Sequence, residues 1–260
     1  MEIGDRLAFP LQSLISCFFL MSPSLPANLE ILNRRFAYLP PIYLLRWAMA
    51  TFGSDLVVAT AFGPSGVIMM HAIAQMQPRP LIFYLQTDLF FPETLALRDA
   101  LAARFGLEFI AIRPDLTLEA QEAQFGPELW QPNPDLCCQL RKVDPLQRFL
   151  ADKRAWVTGL RRDQAATRTS VEPVAWDDTH HLIKLNPLAF WTREQVWAYI
   201  RAHDLPYNVL HDQGYPSIGC WPCTQPAQTA VDERAGRWPH SGKTECGIHT
   251  DFCLRRKAVL

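Results

Sequence analysis

The sequence predicts an α/β protein: an open parallel sheet with helices on both faces, followed by an irregular, cysteine-rich tail. Two patterns carry that reading. Short continuous apolar runs, DLVVAT at 55–60, LIFYLQT at 81–87 and LEFIAI with its core at 108–112, have the length and bounds of strands buried on both faces. The first two lead through AFGPSG and DLFFPE into longer stretches, VIMMHAIAQM and TLALRDALAARF, that read as helices. Strands alternating with helices in this way build a parallel sheet covered on both sides. With 49% hydrophobic and 20% charged residues in a chain of 260, there is material for a sizeable core.

Taken in order, residues 7–21 (LAFPLQSLISCFFLM) form the most apolar stretch, yet they are too short for a bilayer and are broken by Pro10, Gln12, Ser13 and Ser16. The start sets Glu2 and Asp5 against Arg6 and offers a poor cleavage context after Met21, so neither a membrane anchor nor export is expected. Met21 opens a polar, Pro-rich segment and is a candidate natural start, which peptides from residues 1–20 in native protein would exclude. Residues 29–50 read as two short helices broken at Pro40-Pro41. AWVTGL (155–160) and HLIKLNP (181–187) read as later strands, and TREQVWAYIRAHD (192–204) as a helix capped by Thr192 with Glu194 in its first turn. Beyond Asp212 the periodicity ends. The expected divisions are an N-terminal extension with short helices (1–50), a nucleotide-binding core (51–211) and a C-terminal segment (212–260).

The charge balance, 25 Lys and Arg against 26 Asp and Glu, leaves no broad basic surface for nucleic acid or anionic lipid. Local chemistry is more informative. The loop around Gly63 and Ser65 joins the first strand to a helix, where backbone N–H groups and the helix N-terminus can hold a phosphate, although a plain turn reads as well. It is neither a Walker A loop nor a dinucleotide fingerprint. Thr87 and Asp88 end the next strand at the carboxyl edge where open sheets bind ligands, with turn capping as the alternative for Asp88. Cys137 and Cys138 precede helical spacing in QLRKVDPLQRFL, near a helix start whose dipole favours thiolate. With Cys220-x-x-Cys223 they suggest a metal site. A contiguous pair leans toward an iron–sulfur cluster, with zinc or simple disulfides as the alternatives. Arg161, Arg162 and Arg168 follow a strand end, Lys142 lies four residues past Cys138, and Arg234 and Arg237 sit in the tail, a set suited to a polyanion. Cys246, between Lys243 and His249, is placed to be exposed and partly thiolate, as a nucleophile must be.

Together the strings FGPSG, TDLFFPET, CCQLRKV, VTGLRRDQAATR, LPYNVLHDQGYPSIGCWPC, RAGRW and KTECGIH resemble the cluster-containing adenylyl-sulfate (APS) reductases of the phosphoadenylyl-sulfate (PAPS) reductase family. The resemblance implies an adenine-nucleotide α-hydrolase-like fold related to the PP-loop proteins. It further implies one 4Fe–4S cluster on Cys137, Cys138, Cys220 and Cys223, with Cys246 as nucleophile. Members that use only PAPS typically lack both cysteine pairs, which favours APS, with PAPS or dual use as the alternative. The implied partners are APS and thioredoxin or a glutaredoxin-like reductant, acting in the cytoplasm, with a homo-oligomer left open. The implied substrate contacts are Gly63, Ser65, Thr87, Asp88, Lys142, Arg161, Arg168, Arg234, Arg237 and His249. A non-catalytic zinc-bound nucleotide-binding module is the reading from another class.

Overall fold

The computed structural model describes residues 25–227, 232–239 and 241–249. The apolar stretch 7–21, the Met21 start, Cys17 and Cys253 lie outside those residues.

Six strands, β1 (Leu56–Ala59), β2 (Leu81–Leu85), β3 (Ile110–Ile112), β4 (Ala155–Val157), β5 (Val174–Asp177) and β6 (Leu182–Leu185), form one sheet in the order β3-β2-β1-β4-β6-β5. Every neighbouring pair is parallel except β5 with β6. The sheet is therefore not wholly parallel, as the apolar runs alone predict. The edge strand β5 escapes sequence reading because it is short and polar-flanked, with Trp176 half exposed. Its antiparallel direction follows from the tight turn after Asp177, whose carboxylate accepts from Thr179 N at 3.1 Å and whose carbonyl accepts from His181 N at 2.8 Å.

Alternate strand residues divide the core. Leu56, Val58, Ile82, Tyr84, Val157 and Leu185 pack on one face; Val57, Phe83, Trp156 and Leu182 pack on the other with Leu146 and Leu150. Burial on both faces is what makes these strands continuous apolar runs. The first face is covered by α1 (Leu25–Phe36), α2 (Pro41–Phe52), α3 (Pro64–Ala74), α4 (Pro92–Phe105) and α8 (Arg193–Ala202). The short α5 (Leu118–Phe125) and α6 (Pro134–Cys138) lead to α7 (Asp144–Leu150) on the other. Of the 21 prolines, at least five start helices: α2, α3, α4, α6 and α7 each carry Pro at the first or second position, where no backbone N–H is needed. Thr192 caps α8 as expected, and Gln195 completes the reciprocal bond.

Strand order reverses between β1 and β4, so the connections leaving their carboxyl ends run to opposite sides. That opens a crevice at the edge where doubly wound sheets bind ligands.

Candidate active site

A cavity of about 250 Å³ fills this crevice. Its floor is the end of β1, continued by Thr60 and the loop to α3. Phe62 there adopts φ 58°, costly for a bulky residue, and is held by burial of its ring against Tyr84 and Phe109. Thr60 Oγ1 accepts from Phe62 N at 3.0 Å. A Cβ on Gly66 would stand 2.7 Å from that same oxygen, so the third residue of α3 must be glycine for the chain to pass so closely. No side chain caps α3, which leaves the N–H groups of its first turn, around Ser65, for whatever occupies the cavity. Gly63 and Ser65 line it, as predicted.

The two cysteine pairs meet beside this cavity. Cys137 and Cys138 end α6, which runs through a π turn at Gln139–Val143 into α7. Burial, not the helix dipole, governs these thiols as free groups: it pushes Cys137 up to about 12 and Cys138 up to about 11, against the thiolate expected from sequence. The loop after β2 joins the pairs. Arg141, fully buried in the π turn, donates to Thr87 O at 2.6 Å and to Gln121 Oε1 at 3.2 Å. From the other side, Trp221 N donates to Leu89 O at 2.8 Å, Phe90 bridges Cys220, and Thr87 Oγ1 lies 3.4 Å from Cys220 Sγ. Cys137, Cys138, Cys220 and Cys223 form one buried cluster with Leu89, Leu129 and Trp238. All four are free thiols, contrary to the disulfide alternative. Among the described residues, no three His, Cys, Asp or Glu are gathered tightly enough for a single metal ion.

Asp88 departs from its expected role. It does not line the cavity; its carboxylate takes Arg141 Nη2 at 2.8 Å and Arg113 Nη1 at 3.1 Å. The predicted cations also divide. Arg162 turns away to Glu172 and Val171 O. Arg161 lines the cavity but is already held by Asp163 (3.0 Å), Ser65 Oγ (2.8 Å) and Glu233 (2.5 Å), two carboxylates against one guanidinium. Arg168 is likewise bound to Glu245 and Gln164. Arg234 too reaches Glu245 (3.1 Å) and Thr244 O (3.0 Å), which leaves Lys142 and Arg237 without a carboxylate pair among the described residues. Although burial works against the Lys142 charge, the sulfurs of Cys220, Cys138 and Cys246 hold its pKa above the ordinary lysine value. Arg234 Nε and Arg237 Nε are buried without a hydrogen-bond partner. Burial and its neighbours Arg168 and Arg237 press Arg234 down to about 10. Unsatisfied donors on residues that line a cavity suit an anionic ligand.

Glycine is required beside Arg237 and where the tail crosses Gln225. A Cβ on Gly219 would overlap the Arg237 guanidinium, and one on Gly236 would overlap Gln225 O, which explains the spacing of IGC and RAGRW. Neither the glycines nor Glu233 stands out by residue type alone.

Cys246 closes the cavity from the tail. It is half-buried, not exposed as predicted. Burial alone would raise its pKa, but Lys142, the Ile248 backbone N–H, Arg234 and Arg237 outweigh this and hold the thiol below its ordinary value. His249 also lines the cavity, its ring 5.5 Å from that of Trp156; burial, then Lys184 and Arg168, keep it neutral, well below the usual histidine range. Trp156, fully buried on β4, donates from Nε1 to Asp177 Oδ2 at 3.1 Å. Burial works against the Asp177 charge, yet the His180 hydrogen bond and Lys184 depress it from 3.8 to about 2. A depressed carboxylate stabilises the fold above its unfolded pKa and loses that contribution as pH falls through the folded one. Asp177→Asn is therefore expected to cost about 2 kcal/mol at pH 7, with the gap from the parent closing between about pH 4 and pH 2, as urea melts across that range would measure.

The comparisons agree with this geometry. A family model described as the phosphoadenosine phosphosulfate reductase domain matches residues 55–226. A Salinibacter ruber protein named adenosine 5'-phosphosulfate reductase is 49% identical over 230 residues, 88% of this chain and 91% of its own. A Gloeobacter violaceus protein named phosphoadenosine 5'-phosphosulfate reductase is 48% identical over 225 residues, 85% and 93%. The crystal structure of phosphoadenylyl-sulfate reductase from Candida auris, a phosphate complex, superposes with a TM-score of 0.69 at 33% identity, covering 79% of this chain and 99% of that one. With the domain matched from the start of β1 into the tail, and near-half identity sustained over most of both chains, this chain belongs to the phosphoadenosine phosphosulfate reductase family.

Proposed function

We propose that this chain reduces adenylyl sulfate to sulfite and AMP in sulfate assimilation, with Cys246 as the nucleophile. The observation that carries the reading is a thiol of lowered pKa at the wall of a nucleotide-fold cavity, beside Lys142, Arg234 and Arg237 and across from the N-terminus of α3. Hexavalent sulfur ringed by anionic oxygens repels a thiolate, so neighbouring cations must neutralise the sulfate and the departing phosphate as charge develops. The AMP phosphate sits on the loop at Gly63 to Ser65, and the sulfate faces Lys142, Arg234 and Arg237. Cys246 Sγ attacks sulfur, the S–O bond to phosphate breaks, and AMP leaves with that electron pair, giving S-sulfocysteine. A thiolate of a thioredoxin-like dithiol then attacks Cys246 Sγ, expelling sulfite. Its second thiol resolves the mixed disulfide and restores the Cys246 thiolate, so the dithiol supplies both electrons. Free cysteines and this donor suit a reducing compartment, the cytoplasm.

The four paired cysteines fit a 4Fe–4S cluster: the donor set is four thiols buried among the apolar Leu89, Leu129 and Trp238. Binding there would deprotonate the thiols, join the α6 segment to the tail segment and keep Lys142 facing the sulfate.

Relatives of nearly equal identity are named for either substrate, which keeps PAPS as the second reading. The deciding experiment is sulfite release from APS and from PAPS with thioredoxin, on anaerobically purified protein with iron, sulfide and zinc counted. A higher kcat/KM for APS is expected; a gain on adding the 3′-phosphate would reassign the substrate, and zinc without sulfite would reject the enzyme.

A further inference from the structure

The tail is a partition between two spaces. Cys246, Ile248 and His249 line the cavity, whereas Ser241 to Glu245 line a separate groove of about 910 Å³ on the outer side, which His249 also touches. Among the described residues, a few anchors hold the tail between the two spaces. His249 stacks on Trp156 at one end, and Lys243 pairs with the half-exposed Asp135 before the thiol. The buried anchor is Glu245, immediately before Cys246. Its Oε1 accepts from Arg168 Nε at 2.8 Å and Thr167 Oγ1 at 3.1 Å; its Oε2 accepts from Arg168 Nη2 at 2.8 Å and pairs with Arg234 Nη2 at 3.1 Å. Arg168 Nη1 donates to Gln164 Oε1 at 2.6 Å, so every nitrogen of this guanidinium is engaged. A two-point fork between arginine and carboxylate fixes orientation as well as distance.

We propose that the Glu245–Arg168 pair is a latch that holds the tail closed with Cys246 at the cavity, and that Arg168 is a positioning residue acting through Glu245 and not a sulfate ligand. This rests on the reading of Cys246 as the nucleophile. Release of the latch lets the tail turn toward the groove and expose the thiol to a protein reductant.

The test measures alkylation of Cys246 by iodoacetamide in the anaerobic holoprotein, followed by peptide mass, in Glu245→Gln, Arg168→Gln and Arg168→Lys. Loss of charge-assisted bonds of this kind is expected to speed alkylation on the order of tenfold to a hundredfold in both Gln variants. Arg168→Lys, which keeps the charge but loses the fork, should fall between. AMP affinity should stay within about threefold of the parent, since each tenfold is a full 1.4 kcal/mol of contact. A direct charge effect on the thiol would instead speed Glu245→Gln and slow Arg168→Gln, because the two substitutions remove opposite charges; that pattern overturns the latch. Unchanged alkylation in both, or a selective loss of APS affinity in Arg168→Gln, also overturns it. Glu245→Gln preserves shape and Arg168→Lys preserves charge, so the series does not depend on any one variant folding. Sulfite formation by Cys246→Ser would refute the nucleophile reading and leave the alkylation result to be judged separately.

Discussion

Cys246→Ser is expected to lower sulfite formation at least about a thousandfold while APS and AMP still bind. A serine hydroxyl in the same place is a far weaker nucleophile at neutral pH, and its loss removes the covalent step itself, which in enzymes working through an attacking side chain costs several orders of magnitude. Binding is expected to survive because the proposed anion contacts come from elsewhere: the first turn of α3, Lys142 in the π turn, Arg234, and Arg237 packed on Gly219. Calorimetry with AMP, alongside single-turnover sulfite assays, separates the two effects. Intact-mass detection of an 80-Da adduct on the parent after APS without reductant, and its absence in the variant, would tie the loss to the thiol. Sulfite production at parental rates would remove Cys246 from the mechanism.

Replacement of Cys220 or Cys138 by serine should have the next largest effect. If the four thiols hold one cluster, either change is expected to take iron from about four per chain to less than about one, and to bleach the brown absorbance. Activity should fall at least about fourfold, in proportion to the lost iron, and thermal stability should fall with it, because metal binding that orders a site contributes to folding. The structural basis is the shared loop after β2, which carries Arg141 from one side and the Phe90–Cys220 bridge from the other. When one pair loosens, Lys142 loses the sulfurs that hold its charge in place. Iron retained after either substitution, or zinc in the parent protein, would refute the cluster assignment.

β1, β4 and β6 were legible because each is buried on both faces and therefore reads as a largely apolar run; β5 was not, because an edge strand exposing Trp176 has no such pattern. Gly63, Ser65, Thr87, Lys142, Arg234, Arg237 and His249 were drawn to one cavity by strand-end position and by the family resemblance. Asp88 lies outside that cavity, and Arg161 and Arg168 line it already paired with carboxylates. What a charge does depends on which opposite charge reaches it first, and Asp163, Glu233 and Glu245 approach from places the spacing does not reveal. Trp156 was invisible for a different reason: within a buried strand a tryptophan reads as packing, and only the fold shows that its N–H binds Asp177 while its face meets His249. Likewise, the thiols of α6 sit where a dipole argument favours charge, but burial dominates.

A wall with one reactive sulfur on it, between a nucleotide chamber and an outer groove, also dictates kinetic form. On the proposed mechanism nucleotide and reductant need never be present together, since Cys246 meets the first at the cavity wall with the tail closed and the second once the tail has turned away. The enzyme then works as an airlock: AMP can leave before the reductant arrives, the sulfonate is carried across as a covalent passenger, and initial-rate plots against either substrate run parallel for different concentrations of the other.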